Sequence, residues 1–252
     1  MVFWQRENQV SFEQDCEFVR KMGFGIELWP NVCGLNECRY DRKNWQRLKS
    51  ATDGMLVSMR SRIDSPTIDQ WTEQIQCAQL LDANIVTDLD NLRIPRGTNG
   101  KTWDFASEII AAADANGVRI CLETGDLDTI IKAGRKYASI RFCFDMGFAN
   151  CHPEHSFPQY VDCLAEKTAH IHLTDNYGSA DDHEPPGIKG GIDRENWDYL
   201  LNKLSEYDND IIGSIEMIPP TPENLIRQAT EFLFNELEWP NPPSRLKNII
   251  LS

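Results

Sequence analysis

Apolar residues along this chain follow two rhythms that take turns. Runs such as FGIELW at Phe24–Trp29, VRICLE at Val118–Glu123 and IRFCFD at Ile140–Asp145 are short, rich in β-branched and aromatic residues, and largely apolar. Longer stretches between them carry apolar positions three and four apart, the period of a helix with one buried face. Strands are expected at Val2–Gln5, Phe24–Trp29, Met55–Met59, Asn84–Leu89, Val118–Glu123, Ile140–Asp145, His170–Thr174 and Ile211–Met217. Helices are expected from Ser11 (as N-cap) to Met22, over Asp41–Ser50, from Pro66 to about Asp82 behind a cap at Asp64 or Ser65, and over Asp104–Asn116 with Gly117 as the stop. Four more follow at Asp126–Tyr137, Phe157–Glu166, Arg194–Glu206 and Pro222–Leu237.

Strands apolar on both faces are covered on both faces, and alternation with helices implies a parallel sheet. Eight such units predict an α/β fold closed into a single (β/α)8 barrel. An open doubly wound sheet would want a glycine-rich turn after the first strand, and Gln5–Ser11 contains no glycine. The pattern assigns residues 1–238 to the barrel and the Pro-rich stretch 239–252 to a tail docked outside it or on a partner subunit. Apolar Ile249–Leu251 in that tail hint at a homo-oligomer.

Composition narrows the partners. A net charge of −14 repels phosphate backbones, which argues against nucleic acid. No apolar run reaches the length of a membrane span, and the start MVFWQREN has neither the basic nor the apolar region of a secretion signal, so no membrane association is expected. Eight cysteines form no C-x-x-C pair, and Cys77, Cys121, Cys143 and Cys163 stand in apolar surroundings. They read as buried thiols of a reducing cytoplasm.

Functional groups of a parallel barrel sit at the C-terminal strand ends. Four successive expected strands carry Glu123, Asp145, His172 and Glu216 at or near those ends, each preceded by apolar residues that make an unpaired charge expensive. One shared divalent cation would satisfy all four. Three oxygen donors and one nitrogen favour Mn²⁺, with Mg²⁺, Co²⁺ and Zn²⁺ as alternatives. After the seventh expected strand, a polar loop to Gly191 adds Asp175, Asp181, Asp182 and His183.

The blocks LETG at Leu122–Gly125, FDMG at Phe144–Gly147, HIHLTDN at His170–Asn176, DDHEPPG at Asp181–Gly187 and SIEM at Ser214–Met217 resemble the xylose isomerase-like TIM-barrel superfamily, and within it the sugar phosphate isomerase/epimerase group. FGIELWPN at Phe24–Asn31 fits the same pattern, so the likeness covers nearly the whole chain. The resemblance implies that Glu123, Asp145, His172 and Glu216 bind one divalent metal and that Glu123 and Glu216 move a proton. A metal-polarised carbonyl and hydroxyl would acidify the adjacent C–H, one glutamate would remove the proton, and the second would return one to the enediolate.

Departures bear on the substrate. Relatives often carry a histidine three residues after the aspartate, where this chain has Phe148; His152 or His155 could reach in instead, although both read more simply as surface loop residues. Related apurinic endonucleases bind further zinc ions with Asp and His at the DDHEPPG spacing, but the ends of the third and fourth expected strands carry no histidine here. His183 is then a loop organiser or a substrate contact. Arg60, Arg62 and Arg93 could bind an anionic group or pair with Asp64, Asp88 or Asp90. Trp4 and Trp29 could stack on a sugar ring, and Lys189 could face an anionic substrate.

The expectation is a metal-dependent isomerase or epimerase of a small carbohydrate or other polyhydroxy-keto compound. A lyase or dehydratase on the same site, with a 3-dehydroshikimate-like or 3-keto-glycoside substrate, is the enzymatic alternative. A non-catalytic barrel subunit or sugar-binding protein is the alternative from another class.

Overall fold

The computed structural model describes residues 11–30, 38–63, 65–96, 103–217, 223–237 and 248–251. The strands are β1 (Gly25–Leu28), β2 (Val57–Arg60), β3 (Asn84–Thr87), β4 (Ile120–Glu123), β5 (Arg141–Asp145), β6 (Thr168–Leu173), β7 (Ile212–Ile215) and β8 (Asn248–Leu251). All pair in parallel and in chain order, and β8 closes the barrel between β7 and β1. The expected strand Val2–Gln5, and Trp4 with it, lies outside the described residues. Its neighbour to be, Ile211–Met217, is therefore seventh in the barrel. Asn248–Leu251, expected in an external tail, instead takes the eighth place, bonded on both edges.

Helices α1 (Phe12–Lys21), α2 (Trp45–Ala51), α3 (Ile68–Leu81), α4 (Asp104–Ala115), α5 (Leu127–Lys136), α6 (Met146–Cys151), α7 (Phe157–Leu164), α8 (Arg194–Ser205) and α9 (Glu223–Glu231) link the strands. Local chemistry sets their ends. Ser11 and Gln14 form a reciprocal capping box at α1, as do Ser156 and Gln159 at α7. The cap of α3 is Thr67, two or three residues later than expected, and Thr67 and Gln70 exchange the two bonds of a capping box. Asp126 caps α5 through Thr129 N at 2.9 Å, and Gly117 ends the turn after α4 with φ +67°. The short helix α6, which the residue pattern did not foretell, starts directly from β5.

Trp71, Trp197 and Tyr160 are fully buried in the main core. Alternation along β5 shows the division: the Phe142 ring lies against Gly134 of α5 and Phe144 packs edge-on to Phe157 of α7, whereas Asp145 belongs to the polar cluster described below. Tyr40 Oη lies 2.6 Å from Leu28 O and 2.7 Å from Arg60 O, pinning the ends of β1 and β2 together. Cys77, Cys121 and Cys143 are buried as expected, but Cys163 is exposed on α7, and all seven described cysteines are free thiols. Among the described residues no helix is long and apolar enough to cross a membrane.

Candidate metal centre at the C-terminal end of the barrel

The twofold strand period and the parallel register bring four side chains together. Glu123 ends β4, Asp145 ends β5 opposite His172 of β6, and Glu216 directly follows β7, its N–H donating to Leu173 O. Their ligand atoms all lie within 4.8 Å of one another. His172 Nδ1 is the hub: it is 2.9 Å from Glu123 Oε1, 2.9 Å from Glu216 Oε2 and 3.6 Å from Asp145 Oδ2. A six-coordinate ion with bonds of about 2.1 Å sets neighbouring ligand atoms about 3.0 Å apart. His172 Nδ1 and Glu216 Oε2 are buried without an aligned hydrogen bond, which is what donor atoms reserved for an ion look like. The four residues fit a divalent cation.

Each ligand is held by something else. Asp145 Oδ1 accepts the Phe148 N–H at 2.8 Å, leaving Oδ2 turned to His172. The backbone of Phe148 therefore orients a ligand whatever its side chain, while the ring packs against His152 and Tyr160. Glu123 is gripped by both guanidinium nitrogens of Arg60, one on each carboxylate oxygen. Burial opposes the Glu123 charge, but Arg60 and His172 outweigh it and hold its pKa well below the usual range. Burial likewise works against charge on Glu216 and on His172. His172 keeps the Glu216 pKa low, and Glu216 and Glu27 lift that of the imidazole well above its ordinary value.

Beneath the hub lie two side chains to which the sequence pattern assigned no task. Glu27, in the middle of β1, is 3.3 Å from His172 Nε2 and 3.0 Å from His170 Nε2, and it accepts the Ser58 hydroxyl at 2.7 Å. The available signals were a carboxylate inside the apolar run GIEL and a histidine two residues before His172, on the same side of the strand. Cys143 approaches both histidines, but burial pushes its thiol pKa up, so it stays neutral and is a poor ligand.

The remaining expected residues divide by position. The Arg60 guanidinium stands 5.7 Å from the centre of the Trp29 ring, so both border the cluster. Arg62 pairs with Asp41 and Glu73, and among the described residues with neither Asp88 nor Asp90; Asp64 lies outside the described residues. Arg93 donates to the Ser65 and Pro66 carbonyls and covers Phe105. His152 and His155 stack on each other and meet Tyr160 edge-on, and neither joins a metal-binding cluster among the described residues. Lys189 is exposed.

The polar loop after β6 is tied by fully buried Asp175, which accepts N–H bonds from Ile192 at 2.6 Å, Asn176 at 2.8 Å and Gly187 at 3.0 Å. Asp175 and Glu184 also exchange both backbone bonds at 2.8 Å. The closed loop puts Asp181 over Gly147, with His183 Nε2 3.6 Å from Asp181 Oδ2. Burial, reinforced by the charge of Asp145, pushes the Asp181 pKa up to about 7 against the opposing pull of His183.

The family described as xylose isomerase-like TIM barrel matches residues 50–236, most of the chain. No curated protein matches the sequence. Among solved structures, 3-keto-D-glucoside 4-epimerase from E. coli superposes with a TM-score of 0.60 at 15% identity, covering 89% of this chain and 96% of its own. D-psicose 3-epimerase from Clostridium cellulolyticum H10, solved with D-tagatose, gives 0.57 at 16% identity over 81% and 79%. A xylose isomerase domain protein from Planctomyces limnophilus gives 0.60 at 12% identity over 86% and 89%. Identities this low speak to the shared fold, while the family match spans β2 to β7 and with them all four candidate ligands. The chain belongs to the xylose isomerase-like TIM barrel family.

Proposed function

We propose that this protein is a divalent-metal-dependent isomerase or epimerase of a small polyhydroxylated carbonyl compound. One observation carries the reading: Glu123, Asp145, His172 and Glu216, from four consecutive strands, converge within 4.8 Å around one imidazole nitrogen. A bound Mn²⁺, or Mg²⁺, Co²⁺ or Zn²⁺, would polarise a carbonyl and its neighbouring hydroxyl and acidify the C–H between them. Glu123 and Glu216 then have two tasks, as ligands and as the groups that take a proton from carbon and return one. Their environments differ. Arg60 occupies Glu123, while no lysine or arginine contacts Glu216 among the described residues, so Glu216 is the freer of the two to accept the proton. Trp29 offers a face for stacking a sugar ring, and Arg60 and His183 supply donors at the rim. Two of the structurally similar proteins are a 3-keto-D-glucoside 4-epimerase and a D-psicose 3-epimerase, which supports this reaction class.

The test is metal content by elemental mass spectrometry together with incubation with ketoses in D₂O. About one bound ion per chain, deuterium entering the carbon beside the carbonyl and a product of unchanged mass apart from that label are expected. Loss of water from the product would assign a dehydratase, and absence of both bound ion and exchange would refute the reading. Glu216→Gln is expected to lose turnover while keeping the fold.

A further inference from the structure

The proposed chemistry leaves the buried pair Glu27 and His170 without a role, although two titratable groups inside a barrel are costly to keep. We infer that Glu27 is a positioning residue for His172, holding its Nε2 side so that Nδ1 faces Glu123, Asp145 and Glu216. This inference rests on the metal reading above.

Three strands fix the Glu27 carboxylate. It stands on β1, its Oε2 accepts from Ser58 Oγ of β2 at 2.7 Å, and the same oxygen lies 3.0 Å from His170 Nε2 of β6. Oε1 lies 3.3 Å from His172 Nε2. These imidazole contacts are at ion-pair distance but off the hydrogen-bond axis, a looseness common in catalytic constellations before substrate binds. The His172 ring thus lies between one carboxylate on its Nε2 edge and three on its Nδ1 edge. A neutral imidazole has one N–H and one lone pair. A carboxylate at Nε2 keeps the proton there and leaves the Nδ1 lone pair for an ion; the opposite tautomer would turn a lone pair against Glu27 and an N–H into the cluster. His170 packs edge-on against the His172 ring, at 88° and 5.3 Å between ring centres, and fills the space on that side. A leucine at position 27 would suit the apolar strand better, so the carboxylate is kept for what it touches.

Mn²⁺ titration followed by electron paramagnetic resonance tests this with wild type and Glu27→Gln, which keeps the shape and removes the charge. Loss of such a partner is expected to weaken Mn²⁺ binding roughly 10- to 100-fold, with an unchanged unfolding temperature in chelator. In the zinc-loaded wild type, ¹⁵N spectra should show His172 bound through Nδ1 with its proton on Nε2, and in zinc-loaded Glu27→Gln that single arrangement should give way to a mixture, which a purely structural Glu27 would not produce. Binding within about twofold of wild type, or the reverse tautomer, overturns the inference. If Glu27→Gln does not fold, Ser58→Ala is expected to weaken binding by about threefold or more, and wild-type affinity there overturns it equally. A wild-type protein that binds no Mn²⁺ defeats the metal reading itself, whereas binding that survives in Glu27→Gln defeats the positioning role alone.

Discussion

Gly191 closes the loop that carries Asp181 and His183, and replacing it by alanine presses a Cβ against Asp175 and Ile188. Its φ is not positive, so alanine meets no backbone penalty there. A Cβ at this position would overlap Asp175 Oδ1 and stand 2.6 Å from Asp175 Cγ and 2.7 Å from Ile188 Cγ1. The carboxylate must move. Oδ1 is the oxygen that accepts both the Ile192 and Asn176 N–H groups, at 2.6 and 2.8 Å. Hydrogen bonds to a charged acceptor contribute about 1.5–3 kcal/mol each. Losing both costs about 3 kcal/mol at the lower end, and the stiffer unfolded chain of Gly→Ala returns about 0.5–1 kcal/mol. A net loss of about 2–3 kcal/mol is expected, or roughly 5–10 °C in Tm for a chain of this size. Thermal unfolding measures the loss, and a double-mutant cycle identifies its source. In an Asp175→Ser background the overlapping carboxylate is gone and only the Ile188 contact remains, so Gly191→Ala should cost at least about 1 kcal/mol less than in wild type. Equal cost in both backgrounds, or no cost in either, would refute this account of how the loop is held.

Three further outcomes follow from the site. Adding Mn²⁺ to chelator-treated protein at about 100 times its Kd should stabilise the fold by about 2.7 kcal/mol and raise Tm by about 5–10 °C, and no shift by differential scanning fluorimetry would contradict the four-ligand centre. Arg60→Gln leaves the nearly buried Glu123 with His172 as its remaining partner and should cost about 3 kcal/mol in chelator, with a smaller loss when Mn²⁺ neutralises the carboxylate; the same loss in both conditions would remove the Arg60–Glu123 pair from the argument. In chelator, Asp181 makes stability fall as pH rises from about 4 to about 7, because the unfolded carboxyl has released its proton while the folded one retains it. Asp181→Asn should flatten that part of the urea-denaturation profile, and an unchanged slope would show that another group titrates there.

Much of this protein is local and therefore legible in its residues. Strand and helix periods depend on neighbours a few positions apart, and they placed β1 to β7 within a few residues. They also set Glu123, Asp145, His172 and Glu216 at the strand ends where the structure brings them together. The Thr67–Gln70 box at α3 is as local as the others, yet Pro66 drew the expected cap two or three residues early. Features that pair distant segments were settled only by the folded chain. Arg60 and Glu123 stand 63 residues apart, and nothing near Arg60 distinguishes a rim cation from the partner of a ligand. Glu27 meets His170 and His172 only because β1 and β6 face each other across the barrel. Asn248–Leu251 follows a proline-rich stretch and reads as a tail, but its backbone finds free edges on β7 and β1 and closes the sheet. Period and capping are written residue by residue; which edge, charge or ring lies opposite is set by closure of the barrel, which the chain decides only as a whole.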